Sequence, residues 1–114
     1  MAFTTATVSK VERGTKQFRG VFSDLWTASL TVDPSSIAAG AEDTATFTIP
    51  GVALGDVVIG VGPGVSLTSS GEASVDAWVS AANTLTIRIT NLHATNAVDL
   101  ASSTWKVVIG RPAF

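Results

Sequence analysis

The chain has 114 residues, room for one domain around one core, since single domains commonly hold about 100–150 residues. Its residues are 46% hydrophobic and only 14% charged, with a net charge of −2, which excludes a disordered chain and points to a surface partly covered by something other than water. Cysteine is absent, removing disulfides and thiolate metal sites; no apolar run nears the roughly 18–20 residues of a membrane helix, and the opening residues do not read as a signal peptide.

In chain order, Thr4 to Val11 and Thr15 to Phe22 read as strands, with Glu12-Arg13-Gly14 as the turn between them. This N-terminal edge hairpin or arm, residues 1–22, is set apart from residues 23–114 by charge. It carries Lys10, Arg13, Lys16 and Arg19 against Glu12 alone, whereas the remainder carries eight acidic residues against Arg88, Lys106 and Arg111. Such a segment is either a docking arm for an acidic partner or a solvated hairpin with its charges outward. A nucleic-acid strand is not expected as partner. Phe18 between Lys16 and Arg19 is the one basic–aromatic interleave, and a single-strand groove needs several stacking rings.

Trp26, Ala28, Leu30 and Val32 alternate with Thr27, Ser29 and Thr31, the period of two of a half-buried strand. Asp33-Pro34-Ser35-Ser36 follows as a turn and Ile37 to Asp43 as a loop. Thr44 to Ile49 is a strand with Ala45, Phe47 and Ile49 inward, closed by Pro50-Gly51. Val57 to Val61 is almost wholly apolar, so this strand is expected to be covered on both faces. Gly62-Pro63-Gly64 breaks it, and a Ser/Thr/Gly-rich connection runs to Glu72.

In the next run Val75, Ala77 and Val79 point one way and Ser74, Asp76 and Trp78 the other. After Ser80-Ala81-Ala82-Asn83, Leu85, Ile87 and Ile89 share one face, and Thr84, Thr86, Arg88 and Thr90 the other. The pair reads as a hairpin in which Asn83 takes the left-handed conformation. Trp105 to Ile109 is a last strand. About eight short strands spaced by turn residues, with no helical periodicity, predict an all-β fold: an antiparallel β-sandwich, jelly-roll-like, over residues 23–114.

Catalytic chemistry finds little footing. His93 is the only histidine and falls in a loop, so a metal ion would rest on carboxylates around one imidazole. Asp56 belongs to a turn and Asp76 to an outward strand position, which is no acid/base pair. No G-x-S-x-G elbow occurs, and Gly60-Val61-Gly62-Pro63-Gly64 lacks the Lys-Ser/Thr ending of a phosphate loop. No enzyme activity, cofactor, metal or small-molecule substrate is expected. Of the three tryptophans, Trp26 and Trp105 are expected in the core, and Trp78 to meet a neighbouring subunit or ligand.

Several stretches carry a resemblance: Leu30-Thr31-Val32-Asp33-Pro34, Ala39-Gly40, Val52-Ala53-Leu54-Gly55-Asp56-Val57-Val58, the hairpin from Val79 to Arg88, and Val98 to Val107. In this order they resemble small structural proteins of tailed bacteriophages, met in marine and cyanobacterial phages and commonly encoded near capsid genes. The resemblance runs over about residues 28–109, and the basic opening suits capsid decoration (cement) proteins. It implies a virion protein on the capsid exterior, forming a homotrimer and bridging subunits of the major capsid protein. On that reading Lys10, Arg13, Lys16, Phe18, Arg19, Phe22 and Trp78 are the residues for the capsid or subunit interface. The alternative is a tail or fibre module that binds a host receptor or carbohydrate, with Trp78 or His93 at the ligand.

Overall fold

The structure, a computed structural model, describes residues 5–14, 21–68 and 71–113. Seven strands are formed among the described residues: β1 (Thr5–Gly14), β2 (Phe22–Asp33), β3 (Glu42–Thr48), β4 (Val57–Gly62), β5 (Ala73–Ala81), β6 (Thr84–Asn91) and β7 (Ser103–Pro112). All pairings are antiparallel. They build a four-stranded sheet, β1-β2-β7-β4, and a three-stranded sheet, β3-β6-β5. β2 pairs with β7 and β3 with β6, so the chain wraps as nested strand pairs, the jelly-roll manner of filling a sandwich.

The alternation in the sequence places the core. Trp26, Ala28, Leu30 and Val32 of β2 and Trp105, Val107 and Ile109 of β7 are buried, as are Ala45 and Phe47 of β3 and Leu85, Ile87 and Ile89 of β6. The indole Nε1 of Trp105 donates to Ser103 Oγ at 2.9 Å, so this large ring is buried with its polar atom satisfied. Ile37 and Val98 close one side of the core through an isolated antiparallel bridge, with backbone bonds of 2.8 and 2.9 Å.

The N-terminal turn expected at Glu12-Arg13-Gly14 is not formed: these residues end β1, where they pair with Thr27, Trp26 and Leu25. Non-local pairing with the well-patterned β2 outweighs a weak local turn signal. Residues 5–14 are therefore the outer strand of the larger sheet. The strand expected over Thr15 to Phe22 lies outside the described residues, apart from Val21 and Phe22, and Phe22 opens β2.

β4 also corrects an expectation. It is not covered on both faces but is the other outer strand of its sheet, paired among the described strands to β7 alone. The register shifts between Val58 and Gly60, a bulge at Ile59 that inserts one residue. The bulge lets Val58 and Val61, three positions apart, both pack against the core, while Val57 and Ile59 stay 48% and 50% exposed.

The β5–β6 hairpin turns through Ala82 and Asn83 alone, since Ser80 and Ala81, expected in the connection, continue β5 past a bulge; Asn83 takes the expected left-handed conformation, with φ of 61°. Asn is the non-glycine residue best suited to that region. Its side chain has a second task, accepting from Gly51 N–H at 2.8 Å, while its backbone N–H donates to Val52 O at 2.7 Å. One asparagine thus shapes its own turn and pins it to the loop after β3.

Candidate functional site

Three surface arrangements distinguish the sandwich. The first is a charged cap at the end where Trp26 lies. Arg13, Asp24 and Arg111 sit at neighbouring register positions of β1, β2 and β7. Arg13 donates to Asp24 from Nε at 3.2 Å and Nη2 at 2.8 Å. Arg111 donates to Asp56 from Nε and Nη2, both at 2.9 Å, and Nη2 also reaches Gly51 O at 2.9 Å. Arg111 Nη1 stands 3.6 Å from Asp24, so the charges alternate along Arg13–Asp24–Arg111–Asp56. The two guanidiniums flank the buried Trp26 ring, at 4.8 and 5.1 Å from its centroid, an arrangement that adds cation–π attraction to the ion pairs.

Arg13, expected to face an acidic partner, is thus engaged within its own chain. The hydrogen bonds from Arg13, and then its charge and that of Arg111, hold the Asp24 carboxyl below its ordinary value of 3.8 against the opposing effect of burial. Arg111 is held above its ordinary value, first by the hydrogen bond with Asp56. Because the folded form lowers the Asp24 value, its contribution is fully present above the ordinary value and drains away as pH falls through the lowered one. Wild type should therefore lose more stability than Asp24→Asn when urea midpoints are compared at pH 7 and pH 3. Equal losses would show that Asp24 is not an acid-labile tie.

The second arrangement is an apolar corner on the outer face of the larger sheet. A Cβ on Gly110 would stand 2.7 Å from the Phe22 ring and 3.0 Å from Ile59 Cδ1, so these two side chains close over a bare backbone position. Val57 pairs with Gly110, and Phe22 with Pro112. Pro112 and Leu54 line the same open depression, of about 410 Å³, as Asp56 and Arg111. Leu54 and Val21 are among the most exposed large apolar side chains, at 71% and 63%. Phe22 was singled out in the sequence. Its partners were missed, because their exposure follows from an edge position and a bulge that periodicity does not reveal.

The third arrangement is the outer face of β3-β6-β5, where Trp78 lies 39% exposed. Arg88 stacks over its ring at 5.2 Å from the centroid. The same guanidinium donates from Nη2 to Asp76 at 2.7 Å and places Nε 3.3 Å from Glu42. These contacts, Asp76 first, raise the Arg88 value. Across from Trp78, Thr86 pairs in register, and its hydroxyl lies 2.6 Å from Ser80 Oγ.

Of the other expected site residues, Lys10 lies in β1 opposite Ser29, while Lys16, Phe18 and Arg19 fall outside the described residues. Phe22 and Trp78 are not brought together: they belong to different sheets. His93 shapes its own loop, its Nδ1 accepting from the backbone N–H of Thr95 and of Asn96, each at 3.1 Å. Among the described residues no group of three or more His, Asp or Glu could hold a metal ion. In comparisons with known proteins, no family model matches the chain, nor does any curated protein or solved structure.

Proposed function

We propose that this chain is a virion structural protein: a decoration (cement) protein that sits as a homotrimer on the outside of a tailed-phage head and stabilises the shell of major capsid protein. The observation that carries the reading is the apolar corner made by Val57 and Ile59 of the outer strand β4, Phe22 at the start of β2 and Leu54 in the loop before β4. A low-charge sandwich that leaves such a corner exposed gains by burying it against another subunit. A ligand that binds only the assembled shell stabilises it by mass action. The resemblance of the segments between residues 28 and 109 to phage structural proteins supplies the context. A tail or fibre module is the alternative, and it differs in copy number: many per particle for a head protein, few for a tail tip.

Deleting residues 1–22 would be a poor test, because it removes a strand of the sheet together with the Arg13 contact to Trp26. Point variants are cleaner. Light scattering at several concentrations should give a trimer for the wild type. Ile59→Asp, which places a charge into the apolar contact, should weaken self-association at least about tenfold. The same variant should bind poorly to purified heads that lack the protein. A wild-type chain that stays monomeric and leaves such heads undecorated would end the proposal.

A further inference from the structure

Apart from the exposed Ala81, the outward positions of β3, β6 and β5 in the register around Trp78 carry Thr, Ser, Asp, Glu or Arg, with Trp78 the one large apolar group on these strands. Ser, Asp and Glu are depleted at protein–protein contacts, and the exposed Val57 and Ile59 of β4 lie in the other sheet. We propose that the Trp78–Arg88 face is a binding site for a neutral carbohydrate, an extended oligosaccharide of uncharged pyranose units. The inference is independent of whether the chain sits on a head or a tail.

The chemistry follows from three features. Arg88 stacks on one face of the indole and restrains the ring, and the part of the ring left exposed offers an apolar surface to the C–H face of a pyranose with little side-chain freedom lost on stacking. Around the ring stand groups suited to sugar hydroxyls. Arg88 has five N–H donors, of which Nη2 is taken by Asp76 and Nε faces Glu42. The two carboxylates keep lone pairs for accepting, and the half-buried Ser80, whose hydroxyl is held by the buried Thr86, adds a further hydroxyl oxygen. Charge then selects the class. Two carboxylates about one guanidinium leave the centre of the face with one excess negative charge, which disfavours nucleic acid and anionic glycans. An open sheet face, not an enclosed cavity, suits a chain of sugars over a single buried ring.

The full-length protein would be screened on an array of neutral oligosaccharides of glucose, galactose, mannose and N-acetylglucosamine. The strongest binder would then be titrated into ¹⁵N-labelled protein. Trp26 and Trp105 are buried, so the Trp78 indole N–H resonance should shift while the other two move little. Affinity should fall at least tenfold in Trp78→Ala and be unchanged in Leu54→Ser, in the loop before β4. Absence of binding to any array member at millimolar concentration would overturn the proposal. So would a titration that leaves the Trp78 resonance unmoved, a reading on the unaltered chain that does not depend on any variant folding. A trimer that dissociates in Trp78→Ala would overturn it too, by making this face a subunit contact.

Discussion

Asn91→Leu should lower the unfolding free energy by about 3 kcal/mol, the cost of leaving buried polar groups without partners. Asn91 is 1% exposed and stands at the end of β6. Its Nδ2 donates to Ile37 O at 2.9 Å and to Asn96 O at 2.8 Å, and its Oδ1 accepts from His93 N–H at 2.8 Å. One side chain therefore ties the strand end to the segment before β3 and to the loop that carries His93. Leucine fills a similar volume, so the loss reports hydrogen bonds more than packing. Ile37 O would keep its bond from Val98 N–H, whereas Asn96 O and His93 N–H would lose theirs. Asn91→Asp should cost at least as much, since it turns a carboxylate towards two carbonyl oxygens. Urea titration measures both, and a loss under about 1 kcal/mol for the leucine variant would mean water replaces these bonds.

Asp56→Ala should cost about 2–3 kcal/mol, a buried ion-pair break reduced by the part-exposure of Arg111. Asp56 has a nearly buried side chain at 4% exposure. It accepts two bonds from Arg111 and one, at 2.8 Å, from Ala53 N–H. Its removal would leave Arg111 with only Gly51 O and the longer Asp24 contact, and release the loop before β4 in one step. Chemical denaturation of the alanine variant gives the answer; a change of only a few tenths would place Asp56 with the weak surface pairs.

Much of the sandwich was legible because its strands alternate cleanly. Trp26, Leu30, Ile87 and Trp105 fall on the core side by parity alone, and Trp78 falls outside. Local turn chemistry marked Asn83, but Asp76 stands opposite Arg88 only because a bulge between Val79 and Ala81 shifts the register by one residue, which the turn alone does not reveal. Glu42 could not be placed beside them from sequence, because that contact needs the non-local pairing of β3 with β6. The same limit applies to Arg13: its ion pair with Asp24 and its place over Trp26 depend on how far β1 runs before the chain turns. The apolar run at Val57 to Val61 misled for a different reason. Continuous hydrophobicity reads as double coverage, whereas here a bulge turns part of the run inward and leaves Val57 and Ile59 outside.

The nested strand order also governs when the molecule can form during synthesis. β7 follows the other described strands in sequence, yet in its sheet it lies between β2 and β4 and pairs with both. Until residues 103–112 have left the ribosome, β2 has only β1 beside it and β4 has no partner in that sheet. Long-range pairing of this kind carries a high loop-closure cost and slows folding. The sheet therefore closes only once β7 has emerged, and a nascent chain stalled before that point displays the inner face of β2, with Trp26 and Leu30 uncovered, as a target for chaperones or for aggregation.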